Sequence, residues 1–188
     1  MAQTPSKMIP LGAAAADFSL RDEVTGKVVS LEDVRSQIAT VVMFICNHCP
    51  FVKHMKRELA ALASEYMSRG ISFVAINSND VENYPQDAPE YMREDAQAFG
   101  YPFPYLYDEA QAVARAYQAA CTPDFFVFDQ DLKCVYRGQF DDSRPGNGIP
   151  VTGKDLRNAL DAILSGKPVA REQIPSMGCN IKWKPSAS

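Results

Sequence analysis

The 188-residue chain has 46% hydrophobic residues, 22% charged residues and a formal net charge of −4. That composition suits one globular domain over 1–188, with a core of about 10–168 and a tail over 169–188. It carries no basic block, so nucleic-acid binding is not expected. The Ala13–Ala16 stretch is too short for a secretory core and runs into Asp17, and no segment approaches membrane-spanning length. The expectation is a soluble cytoplasmic protein with no membrane partner. Its five cysteines, Cys46, Cys49, Cys121, Cys134 and Cys179, are unevenly spaced in a chain that needs no disulfide staples. In a reducing compartment such thiols are catalytic, metal-binding or simply buried.

In chain order, Val41-Val42-Met43-Phe44-Ile45 is a continuous β-branched and apolar run, predicted to be a strand buried on both faces. Pro50 then occupies a position that a first helical turn tolerates. Phe51, Met55, Leu59, Leu62 and Tyr66 form one apolar stripe of a long helix that ends at Arg69-Gly70. Ile71–Ile76 is the next strand, which completes a right-handed βαβ unit. Asn77–Pro89 is polar and turn-rich and reads as a loop, and Glu90–Phe99 as a helix ended by Gly100. Tyr101–Pro104 is extended. Asp108–Ala119 is Ala-rich and predicts a helix capped by Asp108. Phe125–Phe128 and Cys134–Arg137 make a hairpin across Asp129-Gln130-Asp131. Asp141–Val151 is a Gly- and Pro-rich loop whose charged residues, Asp141, Asp142 and Arg144, read as a solvated surface. Thr152–Asp155 resembles a capping box before a helix bearing Leu156, Leu160, Ile163 and Leu164, which Gly166-Lys167-Pro168 stops. The remaining segment reads as an irregular tail, and its Trp183 is expected to dock on the domain.

The chemistry concentrates at Cys46-Asn47-His48-Cys49, between the buried strand and the helix start. A helix N-terminus presents unpaired N–H groups and a partial positive charge, which stabilise an anion. A thiolate at Cys46 is expected to gain from this and fall below the free cysteine pKa of about 8.5. Cys49 would then resolve a mixed disulfide. His48 between them would lower the thiol further, and Lys53 and His54 would add positive potential. Two other readings stay open on the residues alone: a buried structural pair, and a zinc or copper site drawn from Cys46, His48, Cys49 and His54. Near Thr122-Pro123, a cis proline would expose the Thr122 backbone to an extended partner.

Together these features resemble the thioredoxin superfamily, and within it the redoxin branch, alkyl hydroperoxide reductase/thiol-specific antioxidant, in a peroxiredoxin-like subgroup. Ala16-Asp17-Phe18-Ser19-Leu20 resembles the family's A-P-D-F-x-L opening, with Ala16 in place of proline. Val42–Pro50 resembles the strand, CxxC and helix-opening proline, and Thr122-Pro123 the cis-proline loop. The C-N-H-C-P-F-V-K-H block, the D-D-S-R-P-G-N loop and the terminal Gly178-Cys179-Asn180-Ile181-Lys182-Trp183-Lys184 resemble the subgroup.

The resemblance implies an α/β thioredoxin fold: a central mixed β-sheet flanked by helices, with an N-terminal β extension and an irregular C-terminal tail. It implies thiol–disulfide oxidoreduction by a nucleophilic Cys46 and a resolving Cys49, tuned by Asn47, His48, Pro50, Thr122 and Pro123. The redox-active disulfide would be the only cofactor, and no metal is implied. The partner would be a thiol or disulfide, protein or small molecule, and the resemblance also admits a homodimer. Peroxidase activity at Cys46 is the alternative. Its block normally places threonine three residues before the cysteine, where this chain has Met43 before Cys46 and Cys46 before Cys49. Cys121 and Cys179 are candidate additional redox thiols, and Cys134 a structural one. A metal-binding or redox-sensing interaction protein is the remaining class.

Overall fold

The β-branched runs settle into a seven-stranded mixed sheet in the computed structural model, which describes residues 3–185. In chain order the described elements are β1 (Gln3–Pro5), β2 (Ser19–Asp22), β3 (Val28–Ser30), α1 (Leu31–Val34), β4 (Ala39–Phe44), α2 (Pro50–Met67) and β5 (Ser72–Asn77). They continue with α3 (Pro89–Phe99), β6 (Tyr105–Tyr107), α4 (Ala112–Ala116), β7 (Cys121–Thr122), β8 (Asp124–Asp129), β9 (Cys134–Gly138), α5 (Lys154–Leu164) and β10 (Met177–Asn180). The sheet order is β3-β2-β6-β5-β4-β8-β9, with β4 parallel to β5 and antiparallel to β8. A second, three-stranded sheet runs β1-β10-β7. Among the described residues no helix is long and apolar enough to cross a membrane.

The central strands β4, β5 and β8 are buried almost throughout because both faces of the sheet are covered. Val41 and Met43 point into one core with Phe73, Phe125 and Val127, beneath α2 and α5. Val42 and Phe44 point into the other with Val74, Phe126 and Phe128, against α1 and α4. The stripe of α2 buries Met55, Leu59, Leu62 and Tyr66, while Phe51 is half-buried.

Several local expectations change. The helix expected over 108–119 shrinks to α4, because Gln111 takes a left-handed φ of 60°. Its side chain is held by the carbonyls of Ser78 and Lys182 and by the Lys184 N–H, which fixes the turn before the helix. Asp108 still accepts from the Ala114 N–H at 2.9 Å. The capping box expected at Thr152–Asp155 is absent; the N-cap of α5 is Gly153 at φ 69°. Asp141, expected on a solvated loop, is buried and accepts from the N–H groups of Thr152 and Gly153 at 2.7 Å each, while the Phe140 carbonyl accepts from the Asp155 and Leu156 N–H groups of the first helical turn. A reciprocal Ser30–Asp33 box instead starts α1. The strand β6 follows directly on the extended Tyr101–Pro104 segment. The tail is irregular as far as Ser176, then adds β10. Beyond it Trp183 packs under the Arg115 guanidinium, 4.5 Å from the ring centroid.

Candidate active site

Two parallel neighbours, β4 and β5, deliver their C-terminal ends to the same edge of the sheet, where open α/β folds place their chemistry. Cys46 follows β4, and the segment from Asn77 to Asp87 follows β5. Cys49 is the N-cap of α2 and Pro50 its first residue, so proline falls where its missing N–H costs nothing. The helix ladder opens with the Lys53 N–H donating to the Cys49 carbonyl at 2.9 Å. Both thiols are buried, Cys46 at 1% and Cys49 at 0% exposure.

Thr122, brought in by β7, touches both sulfurs. Its Oγ1 lies 3.3 Å from Cys46 Sγ, and its carbonyl oxygen lies 3.2 Å from Cys49 Sγ. The Thr122–Pro123 peptide is cis, as the sequence suggested. The Thr122 backbone is not open to an incoming partner, however. It pairs antiparallel with Cys179 of β10, and Cys179 Sγ lies 2.8 Å from Cys49 Sγ.

The two thiols differ in their surroundings: contacts favour the Cys49 thiolate, and burial favours the Cys46 thiol. Cys49 is lowered to about 5, chiefly by the hydrogen bond from the Cys46 thiol. Burial opposes this, and the Cys179 thiol with the Val52 and Cys179 amides helps it. Cys46 is pushed well up by burial, by sharing its proton with Cys49 and by the nearby Asp87 carboxylate; the Thr122 hydroxyl counteracts in part. Cys49 sits at the N-cap, where the Val52 N–H of the first helical turn reaches its sulfur.

Asp87, on a turn of 3₁₀ helix over Pro85–Asp87, organises the loop between the cysteines. Its Oδ1 accepts from the N–H groups of Asn47 at 2.8 Å and His48 at 3.2 Å. Its Oδ2 accepts from His48 Nδ1 at 2.6 Å and from the Asn79 amide at 2.8 Å. The carboxyl is fully buried, and burial alone would raise it; the bonds from His48, Asn79 and Asn47 outweigh that and hold it below the ordinary carboxylate range. With Nδ1–H given to Asp87, the imidazole keeps Nε2 free, and its ring stacks on Tyr84 at 5.7 Å. Asn47 is fixed separately: its amide donates to the Gln86 carbonyl, its Oδ1 accepts from the Tyr105 hydroxyl, and its carbonyl accepts from Lys56. Lys56, itself buried, pairs with Asp95.

Asp87, Asn79, Lys56 and Tyr105 were not visible as site residues in the sequence. The one signal available was topological, that segments after adjacent parallel strands converge. Cys121 Sγ lies 3.5 Å from the Pro123 carbonyl, and burial pushes this thiol far up. Cys134 is likewise buried and raised to about 11. His54 faces away and meets Ser143 Oγ at 2.7 Å. Among the described residues, the group with metal-ligand atoms drawn together is Cys46, His48 and Asp87, within 4.8 Å of one another; Cys49 and His54 are not part of it. The 2.6 Å from His48 to Asp87 is hydrogen-bond spacing, tighter than the roughly 3.3 Å between ligands around a tetrahedral zinc. An open groove of about 710 Å³ adjoins the loop, walled by Asn47, His48, Lys53, Pro85, Tyr91 and Phe99.

This geometry agrees with what the comparisons found. The AhpC/TSA family matches over residues 11–137, more than half of the chain. The chain belongs to the AhpC/TSA family. It is similar over its whole length to an uncharacterized conserved protein from Geobacillus kaustophilus, at 65% identity and TM-score 0.98, covering 99% of that chain. It is also similar to a hypothetical protein from Sinorhizobium meliloti, at 50% identity and TM-score 0.95, over 97% of this chain and 100% of that one. The thioredoxin domain of a thiol-disulfide oxidoreductase from Bacteroides vulgatus shares the fold at TM-score 0.58 and 16% identity, over 69% of this chain and 89% of that one. No curated protein matches the chain. The fold is thus that of thioredoxin, and the chain belongs to a thioredoxin-like redox family.

One titration checks the charge assignment. The ultraviolet absorbance of the reduced protein is expected to show a thiolate lost near pH 5, absent from Cys49→Ser. Because the folded value lies below the ordinary thiol value of about 8.5, its stabilisation is complete above that value and is lost as pH falls toward about 5. Above about 8.5 the raised thiols, Cys46 and Cys179, stay protonated in the fold while the unfolded chain ionises, so stability declines again.

Proposed function

We propose that the protein is a thiol–disulfide oxidoreductase whose redox-active group is the Cys46–Cys49 pair. The observation that carries this reading is a buried cysteine pair at the start of α2, faced by Thr122, whose hydroxyl lies 3.3 Å from Cys46 Sγ and whose carbonyl oxygen lies 3.2 Å from Cys49 Sγ. In the reduced state Cys49 is a ready base for its neighbour. As a disulfide approaches, Cys46 passes its proton to Cys49 and attacks one sulfur, and the other leaves as a thiolate. That thiolate takes the proton back from Cys49. Cys49 then attacks Cys46 Sγ, closing the intramolecular disulfide and releasing the second thiolate. The substrate gains two electrons and the pair loses them. No further cofactor is required. His48, oriented by Asp87, stands beside Cys46 with Nε2 free to hydrogen-bond the leaving sulfur. The groove beside His48 is the route we assign to a thiol or disulfide substrate. A reducing cytoplasm suits a chain with five thiols.

A peroxidase reading has one specific observation behind it. Thr122 supplies, from β7, the hydroxyl beside Cys46 that the sequence around Cys46 lacks. There Cys46 would attack a peroxide oxygen, water would leave, and Cys49 would condense with the sulfenic acid and release a second water.

Pre-reduced protein mixed in turn with oxidised glutathione and with hydrogen peroxide separates the two. The oxidoreductase reading predicts loss of two thiols per chain with glutathione at a rate well above that with peroxide. The reverse order would replace it with the peroxidase reading, and inertness to both would end both.

A further inference from the structure

The strand β10 is fixed on both edges, and its place over the site is built rather than incidental. On one side it pairs with β1, Gln3 opposite Cys179 and Pro5 opposite Met177. On the other it pairs with β7, Cys179 opposite Thr122. Ser176 adds a hydroxyl donated to the Pro123 carbonyl at 2.7 Å. Beyond the strand the Ile181 N–H donates to the Ala120 carbonyl, and the Lys182 N–H to Asn79 Oδ1. Gly178 allows the approach, since a Cβ there would lie 2.1 Å from the Thr122 carbonyl oxygen, a backbone atom that cannot yield. The result is a third sulfur, only 3% exposed, 2.8 Å from Cys49 and not among the residues that wall the His48 groove.

We propose that Cys179 is a third redox thiol that exchanges with the Cys46–Cys49 disulfide to give a Cys49–Cys179 disulfide. This rests on the assignment of Cys46–Cys49 as the redox pair. The step is an isomerisation at constant oxidation level. The Cys179 sulfur, giving up its proton, attacks Cys49 Sγ; the Cys49–Cys179 bond forms and the Cys46–Cys49 bond breaks. Cys46 leaves with the electron pair and takes up one proton. No outside oxidant is consumed. The new bond ties β10 to the start of α2, and Cys46 is a free thiol again beside His48. The oxidised protein thereby regains a nucleophile, so it can open a second disulfide before it has been reduced. The raised pKa of Cys179, at about 12 through burial and its contact with the Cys49 thiolate, agrees with a thiol that stays out of the first step.

The test is disulfide mapping by mass spectrometry after oxidation with oxidised glutathione and acid quenching, on the full chain. Wild type is expected to yield both Cys46–Cys49 and Cys49–Cys179 peptides, in a ratio that stays constant as oxidant rises. The fraction of oxidised chains with Cys46 open to iodoacetamide should equal the Cys49–Cys179 fraction. Cys179→Ser is expected to yield Cys46–Cys49 alone, with Cys46 closed to the reagent; Cys46→Ser, which lacks the thiol that opens glutathione, should yield neither disulfide. Wild type that forms Cys46–Cys49 but never Cys49–Cys179 would overturn the exchange and leave the redox pair standing. Absence of Cys46–Cys49 from both wild type and Cys179→Ser would overturn the pair and the exchange with it.

Discussion

Asp87→Ala is expected to cost on the order of 3 kcal/mol or more of stability and to slow turnover. The replacement removes the acceptor of the buried Asn47 N–H and Asn79 amide and of the half-buried His48 N–H. Each buried donor left without a partner costs about 1–3 kcal/mol. Against a typical total of about 5–15 kcal/mol this is a large fraction, visible as a lower melting temperature. The same change releases the His48 ring and the backbone that sets Cys46 against Cys49. Displacement of reacting groups by about 1 Å can cost roughly 10²-fold in rate. Asp87→Asn keeps the shape but brings an N–H₂ group against donors, so an intermediate loss is expected. A second readout separates charge from packing. The Asp87 carboxyl is depressed in the fold, so its contribution is full above the unfolded carboxylate value and is lost as pH falls through the lower folded value. Wild type should show that acid-side loss, and Asp87→Asn should show less of it. An Asp87→Ala protein as stable and as fast as wild type would remove Asp87 from the account.

Cys46→Ser is expected to abolish disulfide reduction, by about 10³-fold or more, because no other thiol is placed to open the substrate bond next to His48. Cys121 and Cys134 are held as neutral buried thiols, and Cys179 is buried against Cys49. The measurement is the initial rate of oxidised glutathione reduction with a recycling reductant. A Cys46→Ser protein that keeps a tenth of the wild-type rate would assign the attack elsewhere.

Features written in contiguous residues were readable from the sequence. The CxxC, Pro50, the stripe of α2 and the apolar run of β4 each lie within one element, where period and capping rules act. Thr122-Pro123 and the family's signatures placed the opposing loop. Asp87 could not be read in this way: it lies in a polar stretch, and its role exists only because β5 runs parallel to β4. The surroundings of the two thiols were hidden for a similar reason. The expectation gave the helix terminus to the first cysteine, whereas the N-cap is Cys49 and the contacts with Cys179 come from a distant segment. β10 has only four residues, one of them glycine, and no alternating pattern, so its pairing is set by the edges of β1 and β7. The helix expected over 108–119 had the right composition, but the side-chain bonds of Gln111 overrode its propensity.

The pairing of Cys46 with Cys49 is tested most directly by the mass of the species formed when pre-reduced Cys49→Ser protein meets oxidised glutathione. The account predicts a single glutathione adduct, located at Cys46, that persists because the resolving sulfur is gone. An adduct at Cys179 or Cys121 instead, or a protein that stays fully reduced, would contradict it.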